Sequence, residues 1–175
     1  MDASQLLDEG IGLATSGRLE EAATKLEESV RIDPNCAGAY VHLGRTYYRL
    51  KRMGDALTAL RMAVQLNPRS PAAHKWLGVT LLTSEHPYDA ISELQVAVGL
   101  DPDVASTYLG LYLAFHAIGR QVEAESALKK AKKLNPEIAN DLAKMVFKVN
   151  EATERYKALA DIMWSIAPLP GYYFF

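Results

Sequence analysis

Large apolar residues return along the chain one and two helical turns apart: Tyr40, Leu43 and Tyr47; Leu77 and Leu81; Tyr108, Leu111 and Phe115; Leu6 with Leu13. Spacing of i, i+3, i+7 predicts amphipathic helices. Gly10, Gly44 and Gly78 sit beside this stripe, where the absence of a Cβ lets a second helix approach closely. Gly17, Gly54 and Gly119 with their polar neighbours, and Pro87, interrupt the pattern and predict a turn between two helices. Ile-Asp-Pro34, Leu-Asn-Pro68, Leu-Asp-Pro102 and Leu-Asn-Pro136 then end the second helix, because proline drives the residue before it out of the helical region and cannot itself continue the helix.

The pattern repeats with a period of 34 residues: Pro34, Pro68, Pro102, Pro136 and Pro170; Ala22, Ala56, Ala90, Ala124 and Ala158; Leu26, Leu60, Leu94, Leu128 and Ile162. Four units occupy 3–36, 37–70, 71–104 and 105–138. The fifth, 139–172, keeps Leu142, Met145, Val149 and Pro170 in phase, but has Val146 in place of the glycine and no Gly or Pro at its expected turn. It reads as a degenerate capping hairpin or as one long C-terminal helix, and the phase of Pro170 favours the hairpin. From Ile162 onward there is no charge, and the chain closes on Tyr172-Tyr173-Phe174-Phe175. Residues 173–175 lie beyond the last unit. These aromatics could pack back over the last repeat, dock in a neighbour's groove, or open a further repeat.

Composition narrows the function. With 49% apolar and 23% charged residues the chain is of globular type, and a net charge of −2 gives no overall attraction to nucleic acid or anionic membrane. One cysteine makes no internal bridge, and His42, His74, His86 and His116 have no metal-ligand spacing, so no cofactor or metal is expected. No apolar run reaches the length of a membrane span, and the acidic start does not resemble a signal peptide, so a cytoplasmic location is expected. Cys36 has no base near it in sequence, and the glutamate pairs of 20–28 read as a solvated face, so an enzyme is a distant third reading. Charge alternates by unit: net −4 in the first, +5 in the second, −4 in the third and +2 in the fourth. Such alternation also suits plain mating of neighbouring repeats.

Tyr40, Leu43-Gly44, Tyr47, Ala56, Leu60, Ala63 and Pro68 match at every offset the pattern of the tetratricopeptide repeat family, which the whole chain resembles. The resemblance implies an all-α fold, a right-handed solenoid of about five helix-turn-helix units. It also implies a protein-interaction scaffold or adaptor that takes a peptide or helix in its concave groove. Carried over by position, the groove residues are Leu7, Ile11, Val41, Arg45, Tyr48, Arg49, Lys75, Val79, Leu82, Leu109, Leu113 and His116. The carboxylate clamp of some family members is absent, since its positions read Leu7, Ile11, His42, Ala72 and Trp76. An apolar lining with cations at its centre suits a segment carrying acidic residues. The alternative is a self-assembling structural or complex-assembly factor that uses groove and tail between copies as a homo-oligomer.

Overall fold

The computed structural model describes residues 1–137, which form eight helices: α1 (Ala3–Thr15), α2 (Leu19–Ile32), α3 (Ala37–Arg49), α4 (Met53–Leu66), α5 (Pro71–Thr83), α6 (Pro87–Leu100), α7 (Ala105–Ala117) and α8 (Gln121–Leu134). In every unit the first helix has 13 residues and the second 14. The expected fifth unit and aromatic tail lie outside the described residues.

The glycine stripe acts as the pattern implies. A Cβ on Gly44 would lie 2.5 Å from Leu60 Cγ, and the same construction at Gly10 and Gly78 meets Leu26 Cγ and Leu94 Cγ at 2.7 Å. The first helix of each of these three units therefore seats the leucine of its second helix directly on backbone, and Leu26, Leu60 and Leu94 are fully buried. Leu94 is held from the next repeat as well, with Gly110 leaving room for its Cδ2 at 3.0 Å. In the fourth unit Tyr112 occupies the glycine position, and Leu128 is only half-buried.

The turn between paired helices differs from expectation at two places. Among the described residues those in the left-handed region are Gly17 (φ 85°), Lys51 (φ 59°), Glu85 (φ 64°) and Gly119 (φ 75°), again one per 34 residues. Gly54 is not a turn residue: it lies inside α4 with open space around its missing Cβ. Pro87 likewise stands in the first turn of α6, where its fixed φ suits helix initiation. Lys51 and Glu85 hold the left-handed position despite the steric cost to any residue with a Cβ.

Between repeats, Asp33, Asn67 and Asp101 cap the second helices, and their side chains accept the backbone N–H two residues on, at 3.0 Å from Asn35 and 3.1 Å from Arg69 in the first two. This tight turn places the next first helix against its predecessor. Tyr47 and His74 each carry a polar contact across a repeat boundary, to Glu27 and to the Pro68 carbonyl, and His74 also joins α5 to α6 within its own unit through Glu93. Tyr47 Oη donates to Glu27 Oε1 at 2.6 Å, and burial followed by that bond pushes its phenol well above the usual range. His74 Nδ1 lies 2.6 Å from Glu93 Oε2, and its Nε2 lies 2.9 Å from the Pro68 carbonyl.

Helices pack in sequence order, and the first helices also touch one another across repeats: α1 with α3, α3 with α5, α5 with α7. Second helices do not meet to the same extent, so the two-layered stack curves with the first helices on its concave side. This is an α-solenoid.

Candidate ligand groove

The concave positions fall into two groups. On α1, Leu7 and Ile11 are half-buried. On the next three first helices the lining is far better covered: Val41 and Tyr48 are buried on α3, Val79 and Leu82 on α5, and Leu109 and Leu113 on α7. Arg45, Arg49, Lys75 and His116 are intermediate.

Trp76 stands at the centre of the arrangement. Its ring lies 4.9 Å from the Arg45 guanidinium carbon, 5.6 Å from Lys75 Nζ and 6.2 Å from the Tyr48 ring. Two cations from successive repeats thus share one indole. The Tyr48 hydroxyl meets Thr83 Oγ1 at 2.9 Å, and Thr83 in turn donates to the Val79 carbonyl at 3.0 Å, which ties α3 to the end of α5. Arg49 reaches backward: its Nη1 donates to the Ala14 carbonyl at 2.6 Å, placing a cation at the C-terminal end of α1. Lys75 Nζ reaches forward to Ser106 Oγ at 3.5 Å.

Burial makes these charges costly. Desolvation, followed by the charge of Arg49, pulls Arg45 down to about 10. Desolvation and then Arg45 pull Lys75 down to about 8, against a smaller opposing effect of Asp101. Arg49 is lowered by desolvation too. His42, on the same helix as Arg45, is pushed down to about 4 by burial and then by that arginine, and so is neutral at pH 7. A cluster of cations in such a setting gains from an anionic neighbour.

Sequence reasoning brought Arg45, Tyr48, Arg49 and Lys75 together by position but gave no part to Trp76, which it met only as a failed clamp residue. The available signal was its place beside Lys75, one repeat on from Tyr48. His116 sits away from this cluster, 6.0 Å from the Tyr112 ring in an edge-on arrangement. Two small clefts are elsewhere, one among Arg61, Leu77 and Glu93 and one among Glu20, Glu27 and Arg52, and neither is lined by a predicted groove residue. Among the described residues no group of His, Cys, Asp and Glu could hold a metal ion, and no helix is long and apolar enough to cross a membrane.

The tetratricopeptide repeat profile matches residues 7–71 and 55–105, more than half of the chain. No curated protein matches in sequence. Among solved structures, a double mutant of MamA RS-1 superposes with a TM-score of 0.70 at 25% identity, over 78% of this chain and 76% of that one. A crystal structure of MamA gives 0.68 at 24% identity, over 91% and 97%, and at that identity supports the fold alone. A mutant O-GlcNAc transferase of Thermobaculum terrenum gives 0.63 at 30% identity, over 65% of this chain but only 22% of the transferase. The 34-residue period, the glycine-on-leucine contacts and the profile match agree: the chain belongs to the tetratricopeptide repeat family and is, in general terms, a protein-interaction scaffold.

Proposed function

We propose that the protein is a non-enzymatic adaptor that takes an acidic protein segment on the concave face of α3, α5 and α7. The observation that carries this reading is the shared indole: Arg45 and Lys75 come from different repeats yet flank the Trp76 ring at 4.9 and 5.6 Å. Such paired cations, with burial acting against their charge, favour a carboxylate-bearing ligand, and the apolar side chains around them offer desolvated anchoring surface. Raised salt then weakens the complex, since charge contributes to it. The test is affinity capture with wild type and with Lys75→Glu, quantified partner by partner. Partners of the groove are depleted from the variant, and a capture profile identical to wild type contradicts the reading. Mass measured across a concentration series distinguishes an adaptor, which keeps one mass, from a self-assembling chain, whose mass grows.

A further inference from the structure

Tyr47, Leu81 and Phe115 are equivalent in the 34-residue period, near the end of the first helix of their units. In the second and fourth units the ring is buried, and the arginine that caps the second helix lies over it. The Arg52 guanidinium carbon is 4.4 Å from the Tyr47 ring, and that of Arg120 is 5.1 Å from the Phe115 ring. A carboxylate three residues on fixes each arginine. Asp55 accepts from Arg52 Nε at 2.7 Å, and Glu123 accepts from Arg120 Nε at 2.8 Å. Aromatic ring, arginine and carboxylate thus form one set in both units. The third unit keeps a single member of it: Leu81 replaces the ring, His86 stands at the arginine position, and Asp89 retains the carboxylate. Here the structure has a cleft of about 290 Å³ between α4 and α6, floored by Leu77 and Leu81 of α5 and rimmed by Arg61, Asp89 and Glu93.

We infer that this cleft docks a segment of a partner protein that brings an aromatic side chain together with an arginine, the ring resting on Leu77 and Leu81 and the guanidinium meeting Asp89. The chain itself supplies the template, since its second and fourth units hold that same pair beside a carboxylate at the same repeat position. Charge agrees with the assignment. Asp89 is exposed and belongs to no ion pair among the described residues. Glu93 lies one turn further along the same face of α6 and is held in place by buried His74, 2.6 Å away. Two carboxylates on one wall therefore favour a cation entering beside the ring. A docked ring contributes a large apolar surface, and an arginine over its face adds a cation–π contact. The cleft opens on the side of the second helices, so it is a second surface, and it stands whether or not the concave face takes an acidic segment.

The test uses the full chain labelled at its leucine methyl groups and the probe acetyl-Phe-Gly-Arg-amide, whose two side chains fall on one face of an extended segment. Acetyl-Phe-Gly-Glu-amide and acetyl-Ala-Gly-Arg-amide serve as comparisons. The expected result is a shift of the Leu77 and Leu81 methyl resonances that saturates at lower concentration with the first probe than with either of the others. Asp89→Asn should weaken that probe by about two- to fivefold, the size of one exposed charge pair. Leu81→Phe should abolish the response, because its own ring fills the cleft as Phe115 does one repeat on. Leu81→Phe combined with His86→Arg rebuilds the whole set and should raise the melting temperature. Absence of methyl shifts with every probe overturns the inference, as does an equal response to all three. A probe that binds Asp89→Asn as tightly as wild type overturns it too, and that exposed substitution decides the matter even where Leu81→Phe does not fold.

Discussion

Arg45 on α3 stacks over Trp76 on α5, guanidinium carbon to ring centroid 4.9 Å, so a residue expected to serve only a ligand also joins the second repeat to the third. Charge and packing at this position are therefore separable by substitution. Arg45→Met keeps most of the aliphatic stem and removes the cation–π attraction, and should cost about 0.5–2 kcal/mol. Trp76→Ala removes a buried indole that is 3% exposed, and should cost about 3–5 kcal/mol. Urea denaturation of each variant measures both, and a Trp76→Ala protein as stable as wild type would show that the indole is not a structural contact.

Gly44 and Leu60 form the closest glycine–leucine seat, with 2.5 Å from a built Cβ to a branched carbon that cannot swing away. Gly44→Ala should destabilise by about 1–3 kcal/mol through overpacking. Leu60→Ala should cost about 2–5 kcal/mol by leaving a cavity. The double variant should be less unstable than the sum, because the new methyl enters the space that Leu60 vacated. Strict additivity in the double-mutant cycle would contradict the contact.

Glu85 holds a φ of 64° at the turn where the first and last described units use glycine. Glu85→Gly relieves that conformation while loosening the unfolded chain, for a net gain of up to about 1 kcal/mol. Gly119→Ala at the same repeat position should lose about 1 kcal/mol. Thermal melts in parallel test the pair, and the idea fails if both substitutions shift the midpoint in the same direction.

Two half-buried bases contribute to the pH dependence with the same sign. His42, lowered from 6.5 to about 4, is neutral in the folded chain, so the unfolded chain binds the extra proton and stability falls as pH drops through that interval. Lys75, lowered from 10.5 to about 8, loses its proton earlier in the folded chain, so stability rises as pH climbs from about 8 to 10.5. His42→Gln should flatten the acid limb and Lys75→Met the alkaline one in a denaturation series across pH. Unchanged limbs would contradict the assigned burial.

The repeat was legible because its determinants are local and periodic. Proline after Asp or Asn ends each second helix, and glycine opposite leucine sets the distance between helices, so helix pairs follow from spacing. The left-handed turn position was missed in two units because Lys51 and Glu85 occupy it, and Gly54 drew attention three residues too far on. Register assigned positions on the first helices, but their burial was not legible: periodicity marks a face as apolar without saying what lies against it. Trp76 was overlooked for a related reason. Its partners Arg45 and Tyr48 come from the preceding repeat, 31 and 28 residues earlier, and only the stacking of α3 on α5 brings them together.

The central claim is that the concave cation pair over Trp76 recognises an acidic segment. The most direct measurement is the dissociation constant of a partner captured by wild type, compared for wild type, Arg45→Glu and Arg61→Glu. Arg61 is an exposed arginine on α4 and serves as the control for charge alone. Arg45→Glu should raise Kd by the equivalent of about 1–3 kcal/mol, roughly 5- to 150-fold, and Arg61→Glu should leave it nearly unchanged. Equal Kd for wild type and Arg45→Glu, or equal losses in both variants, would contradict the account.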